Sequence, residues 1–498
     1  MNYERYPIAN FKVGLNTRDQ PWILPDDAFP VLEDGFCYRG TLQKRQGIRQ
    51  YATGQRGGAP YCESRVVSLV TAEATGQVNA GAPLTPIALA NSPIRRGTTT
   101  VTDGVESHTD NGLGSFTTAA AGTINYTTGV ITGFQFNAAS GAAVTVTYSW
   151  HPSRPVMGIM QYITSSNVRQ LIIATTRDVN RYNSVTNRLD DITGATVYTG
   201  TNANFWSWDN YVDPTSVRKL IFVNGVIGDP AQQYNGTAVA NWTFTSGTIT
   251  TFNARQVFFP HDRLVFLYPI EDGTLFSRRI RITGTAANIE TFDATVGGVP
   301  TGAGFIDVPS TIEITAATKN RDDLIIFTES ATWILRYTGN ETVPFVLESL
   351  DPSRGSEAPY GSISYLNQST SLSARGVIST DGYQLQRLDL LIPDYTFDEI
   401  DGDNFALSFA GAVDEDRDHY IVHPRPNQDK SDRVLVYNYE EGNFAVYRLP
   451  LSCLGEFQNS FDVTWNDLSI YTNWTEFGAA YPNWNAFAYT AGQPIAIG

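Results

Sequence analysis

The chain has 498 residues, 42% of them apolar, and a formal net charge of −16. That acidic excess disfavours tight nonspecific nucleic-acid binding, because it repels a phosphate backbone, while suiting a wall past which DNA slides without sticking. No run of 18 apolar residues offers a membrane helix, and no signal-peptide pattern opens the chain, so cytoplasmic assembly without membrane insertion is expected.

Length alone suggests about three domains. The 42 glycines, 25 tyrosines and 26 phenylalanines, against 3 methionines, favour strands and turns and point to an all-β fold. The cysteines, Cys37, Cys62 and Cys453, are odd in number and contain no CxxC. They read as buried thiols rather than a disulfide framework.

Residues 1–63 read as an N-terminal arm and hairpin. Short extended pieces, Phe11-Lys12-Val13 and Trp22-Ile23-Leu24, alternate with Pro and Asp, and Phe36 to Arg45 forms a hairpin turning on Gly40. Arg39, Lys44, Arg45, Arg49 and Arg56 make this region locally basic. They fit either a solvated edge guarded against pairing or a contact with an acidic partner.

Residues 64–153 nearly lose their charge and become rich in Ala, Gly, Thr and Ser. Strands are expected at Val66–Thr71, Pro86–Leu89, Thr98–Thr102, Gly122–Tyr126, Val130–Phe136 and Ala143–Trp150, separated by turns such as Asp103-Gly104 and Ser140-Gly141. Val144, Val146, Tyr148 and Trp150 alternate onto one side. This predicts a small inserted β-sandwich, Ig-like in the loose sense.

Residues 154–472 carry a long-period repeat: a charged residue, a buried apolar strand, a turn, then a strand ending in an aromatic. Its anchors are Leu171, Leu220, Leu264, Leu324, Leu372 and Tyr420, at steps of 49, 44, 60, 48 and 48. Propeller blades repeat at roughly 40 to 50 residues, so a β-propeller of six units is expected, with the apolar anchor strands innermost. Phe461–Tyr471 is expected to complete a blade together with a strand from the N-terminal arm. A stacked pair of sandwiches is the competing architecture. Residues 473–498 form an aromatic, almost uncharged C-terminal segment, suited to packing on its own domain or on a neighbouring subunit.

No catalytic signature appears: the sequence holds no GxSxG, Walker loop or HExxH. His419 and His423 share a strand face but lie about 13 Å apart at strand rise, too far to share a metal. Asp398, Glu399, Asp401 and Asp403 resemble the start of an EF-hand loop, yet Ala412 stands where the closing Glu belongs. A solvated loop or an interaction surface is the expected reading. Asp414, Glu415, Asp416 and Asp418 read the same way. A carboxylate pair for glycoside hydrolysis is the enzymatic alternative. No cofactor or metal is expected, nor an enzyme.

Two stretches carry a family resemblance. They are NFKVGLNTRDQPWILPDDAFPVLEDGFCYRGTLQKRQG in the arm, and Pro155 to Asp191 continuing to Asn204–Trp208 and Gly376–Gly382. Together they resemble the tail-hub or nozzle proteins of short-tailed bacteriophages, also called packaged-DNA stabilisation or head-closure proteins. The resemblance implies a structural virion protein in a ring, commonly of six copies, below the head-to-tail adaptor. Such a ring extends the DNA channel, retains the genome and docks tail spikes, fibres or needles. It transfers no catalytic roles. A glycan-binding or glycan-cleaving phage-tail propeller is the competing function.

Overall fold

The computed structural model describes, short loops and single positions aside, residues 11–45, 68–150, 155–458, 476 and 495–498. The chain divides into two compact units. The first comprises 1–47, 156–172 and 199–498; the second comprises 48–155 and 173–198.

The first unit is a β-propeller. Successive antiparallel meanders follow one another along the chain. The first begins with Val156–Ile163, and the unit boundary passes through its next strand, Arg169–Thr175. The second blade is Ser207–Val212, Arg218–Val223, Gln232–Tyr234 and Val239–Asn241. The third is Phe252–Phe258, Val265–Glu271, Arg279–Ile282 and Gly304–Asp307. The fourth is Ile314–Asn320, Asp323–Thr328, Thr332–Tyr337 and Phe345–Asp351. The fifth is Ser362–Tyr365, Gln368–Ser373, Gly376–Thr380 and Leu385–Arg387. The sixth is Phe409–Val413, Asp418–Pro424, Ser431–Asn438 and Asn443–Tyr447.

First strands of successive blades touch one another around the ring. The repeat anchors therefore sit in or at the start of second strands, not innermost ones. The reason is packing. A second strand is covered on both faces by neighbouring blades, so its residues are buried on both sides; most are apolar, as in Leu220–Val223 and Leu324–Phe327, while the fifth blade buries Ser369, Thr370 and Ser371 there. In the third blade, Leu264 and Phe266 join the core shared with the second blade, while Val265 and Leu267 join the core shared with the fourth. The axis-lining first strands keep polar positions such as Gln161, Asp209, Lys319 and Ser364.

The charged residue of the repeat also finds a structural role. Arg218 donates to Thr164 O at 3.2 Å and Asn167 Oδ1 at 2.7 Å, latching the second blade to the first hairpin turn. His261 Nε2 lies 2.9 Å from Asp322 O, and Arg321 Nε donates to Asn367 Oδ1 at 2.9 Å, linking the third, fourth and fifth blades in series. Arg263 is buried and donates to Thr283 O and Thr301 O, each at 3.0 Å, and to Glu341 O at 3.3 Å.

The arm joins the sixth blade at its outer edge. Gly14–Leu15 pairs in parallel with Asn443–Tyr447, and Ala28–Phe29 pairs in parallel with Gly14–Leu15. Val446 returns to the arm further on, donating to Leu32 O at 3.1 Å and accepting from Asp34 N at 2.9 Å. Buried Asn443 clamps both passes, donating to Lys12 O at 3.3 Å and Cys37 O at 3.0 Å. Trp22–Leu24 is not a strand: Ile23 N donates to Gln20 O at 2.9 Å in a turn. The hairpin is as expected, Gly35–Tyr38 against Thr41–Lys44, with Arg39 and Gly40 both at positive φ (49° and 74°), the geometry of a two-residue primed turn.

The arm thus seals an outer edge, and the ring closes elsewhere. Gly455–Phe457 runs between the first strands of the first and sixth blades, and pairs with Ile495–Ile497. Phe461–Tyr471 lies outside the described residues, as does the aromatic C-terminal segment apart from Glu476 and 495–498.

The second unit contains a two-sheet β-sandwich. One sheet orders Ser68–Val78, Ala143–Trp150, Thr100–Thr102 and Ser107–Thr109; the other orders Ile87–Ala88, Val130–Gln135 and Ala121–Asn125. Val144, Val146 and Tyr148 are buried in one core with Ile124, Ile131 and Phe134, and Trp150 packs against it. In a constant-type immunoglobulin domain the first and last strands lie in opposite sheets. Here Ala143–Trp150 pairs directly with Ser68–Val78, so the strand order is a different one. The same unit carries the hairpin Val179–Asn183 with Arg188–Asp191.

Candidate functional site

The propeller axis holds a cavity of about 480 Å³. Its wall takes Ile159 and Gln161 from the first blade, Trp208 from the second, Ile363 and Ser364 from the fifth, and Ala410 to Ala412 from the sixth. The closing strand adds Leu454, Gly455, Glu456 and Gln458.

Two glycines let the closing strand seat. A Cβ on Gly411 would stand 2.3 Å from Leu454 Cδ2, and one on Gly455 would stand 2.6 Å from Ile159 Cβ. Gln458 N then donates to Gln161 Oε1 at 2.8 Å. The described lining supplies one carboxylate, Glu456, one aromatic, Trp208, and no cation. Nearby cations of the first strands are engaged: Lys319 pairs with Asp209, and the Arg255 guanidinium lies 3.4 Å over the Tyr268 ring.

The sequence-derived site residues lie elsewhere. Arg39 sits exposed at the hairpin turn, where its N–H donates to Glu441 Oε1 at 3.2 Å and its guanidinium lies 5.0 Å over the Tyr38 ring. Lys44 is exposed on the same hairpin, and Arg45 pairs with Asp34 at 3.2 Å. Arg49, Arg56 and Cys62 lie outside the described residues. Asp398 and Glu399 are exposed on the short helix Tyr395–Glu399, and Asp403 is exposed on the turn Gly402–Leu407, both in the link between the fifth and sixth blades. Asp401 and residues 414–416 lie outside the described residues, while Asp418 is buried and accepts from Asn438 Nδ2 at 2.9 Å. Among the described residues, no group of three His, Cys, Asp or Glu is arranged to hold a metal.

His419 and His423 are buried and find separate partners. His419 Nδ1 lies 3.0 Å from Thr370 Oγ1, and His423 Nε2 lies 3.2 Å from Tyr395 OH. Burial pushes their pKa values down, to about 3 and about 4. Burial also pushes the Cys453 thiol up to about 12 and raises that of Cys37.

Sequence reasoning passed over Gln161, Ser364, Glu456 and Gln458. The available signal was a polar position in the strand before the anchor strand in the first and fifth blades, Gln161 and Ser364; the sixth blade's Phe409–Val413 has none. Nothing local marked Glu456, which depends on the closing strand.

No protein-family model matches the sequence, and no curated protein does. Among solved structures, the chain is similar to PorZ, a surface component of the type-IX secretion system of Porphyromonas gingivalis, at 9% identity and TM-score 0.32. That match covers 59% of this chain and 34% of PorZ, so the matched part spans about a third of the other protein's length. The dihydro-heme d1 dehydrogenase NirN is similar at 11% identity and TM-score 0.35, over 74% of this chain and 68% of that one. A gluconolactonase from Xanthomonas campestris is similar at 10% identity and TM-score 0.28, over 55% of this chain and 95% of the enzyme. Likenesses this slight transfer no activity, substrate or partner.

Proposed function

We propose that this chain is a structural virion protein: a subunit of a phage tail nozzle or hub ring, of six copies, seated below the head-to-tail adaptor. In this role it is not an enzyme. It extends the DNA channel, helps to retain the genome and docks tail spikes, fibres or needles. The observation that carries the reading is the arm, the stretch that also carries the family resemblance. It is fixed along the sixth blade, yet it displays Trp22 at 80%, Ile23 at 65% and Val31 at 69% exposure. An arm serving its own fold alone would turn such side chains inward, since each buried large apolar side chain contributes about 1.5–3 kcal/mol. Held outward on an anchored segment, they suit a protein interface.

The test is native mass spectrometry and electron microscopy of the purified full chain, alone and with the adaptor. A closed ring, alone or on the adaptor, is expected. A protein that stays monomeric in both conditions overturns the reading. The variant Trp22→Ala/Ile23→Ser is expected to keep the fold and lose assembly.

A further inference from the structure

We infer that Lys219 and Asp213 join through an intramolecular isopeptide bond, with Glu290 as the proton carrier. Asp213 opens the turn after Ser207–Val212, and Lys219 lies on the next strand of the second blade, Arg218–Val223. Glu290 comes from the third blade, in the loop between Arg279–Ile282 and Gly304–Asp307. Lys219 Nζ lies 3.1 Å from Asp213 Oδ2 and 3.0 Å from Glu290 Oε1, and all three side chains are 17% exposed or less. An amine, a carboxyl group and a second carboxylate are thus held together in a largely dry site.

The parts of an acyl transfer are present. Asp213 Oδ1 accepts from Thr215 N at 2.9 Å, Thr215 Oγ1 at 2.8 Å and Val217 N at 2.8 Å. These donors stabilise the negative charge that Oδ1 gains when Nζ adds to Cγ. Oδ2, on the amine side, is the leaving oxygen. Tyr211 OH donates to Glu290 Oε1 at 2.6 Å and accepts from Trp242 Nε1 at 3.2 Å, which fixes the carboxylate beside Nζ.

The groups start as an ammonium between two carboxylates. Burial works against these charges, yet hydrogen bonds to Glu290 and Asp213 raise the Lys219 pKa, and those from Val217, Thr215 and Lys219 lower that of Asp213. The reaction is therefore slow and runs through the minor tautomer in which one Nζ proton has passed to Oδ2. The neutral amine adds to Cγ. Glu290 takes a second proton from the nitrogen and returns it to Oδ2, the Cγ–Oδ2 bond breaks, and water leaves. No oxidant or outside reagent is consumed, and Glu290 ends as the carboxylate it began as. The competing loss of water, closure of Asp213 onto the next backbone nitrogen, is barred because Pro214 has no N–H.

The experiment is intact-mass spectrometry of the full-length protein over days after purification, followed by trypsin digestion of the denatured chain. A mass lower by one water is expected. Cleavage after Lys219 is lost, and residues 189–218 and 219–255 are recovered as one branched peptide. Lys219→Arg keeps the cation and is expected to show the mass of the unlinked chain. Glu290→Gln is expected to slow bond formation by about a hundredfold or more. Unmodified protein that keeps the unlinked mass overturns the inference, as does a loss of water that persists in Lys219→Arg. Bond formation at an unchanged rate in Glu290→Gln overturns the role given to that residue. Because the first measurement uses the unmodified protein, it decides the question even if a variant misfolds, and it does so whether or not the chain forms a ring.

Discussion

At the scale of single residues, the unusual side chains of this protein serve packing. His419 and His423 stay neutral in the fold because burial depresses their pKa values to about 3 and about 4, whereas an unfolded chain protonates histidine near pH 6.5. Below that pH the unfolded state binds more protons, so stability falls as pH drops from about 6.5 toward those values, and is regained above it. The urea midpoint is therefore expected to decrease between pH 7 and pH 5. Replacing both histidines with glutamine should flatten part of that slope, and an unchanged slope would count against these two as its source. Arg263 has no local sequence mark beyond opening an apolar run, yet it satisfies three backbone carbonyls, those of Thr283 and Thr301 in the interior and that of Glu341 nearer the surface. Arg263→Leu leaves those oxygens without a donor and should cost about 3 kcal/mol or more, measured by denaturant unfolding. Native alkylation followed by mass spectrometry should leave Cys37 and Cys453 unmodified until the protein unfolds, since both thiols are buried and protonated.

At the scale of elements, two edges decide the architecture. The outer edge of Asn443–Tyr447 is covered by the arm, which prevents a long exposed strand from pairing with other chains. Asn443→Ala removes both of its bonds to the arm. It should cost about 1–3 kcal/mol and speed hydrogen exchange at Val13 to Leu15, while exchange in the second to fourth blades stays slow. Exchange rising equally everywhere would mean that the arm is not a separate element. The inner edge closes through Leu454–Gln458, in the space kept by Gly411 and Gly455. Gly411→Val displaces Leu454 and should destabilise by about 1–3 kcal/mol through overpacking, read as a lower thermal midpoint. The same substitution at Gly104, where an added Cβ meets nothing within 4 Å, tests backbone strain alone, because φ is positive there (82°).

At the scale of the whole molecule, the sequence determined the class of fold, most strands of the sandwich (Ser107–Thr109 apart) and the spacing of the blades. The physical reason is burial. Strands covered on both faces, such as Leu220–Val223 and Leu324–Phe327, form apolar runs, and strands with one covered face, such as Ala143–Trp150, alternate. Both patterns are legible without coordinates. Strand order and the placement of edges were not legible, because pairing partners can be hundreds of residues apart: Gly14 meets Phe444, and Gln161 meets Gln458. No local pattern encodes which edge receives the arm, or that the apolar anchor strands lie second from the axis. Nor does one reveal that Trp208 and Glu456 line one cavity. Those features depend on where the ring closes, and only the tertiary structure decided them, through side-chain fit at Gly411, Gly455 and Asn443.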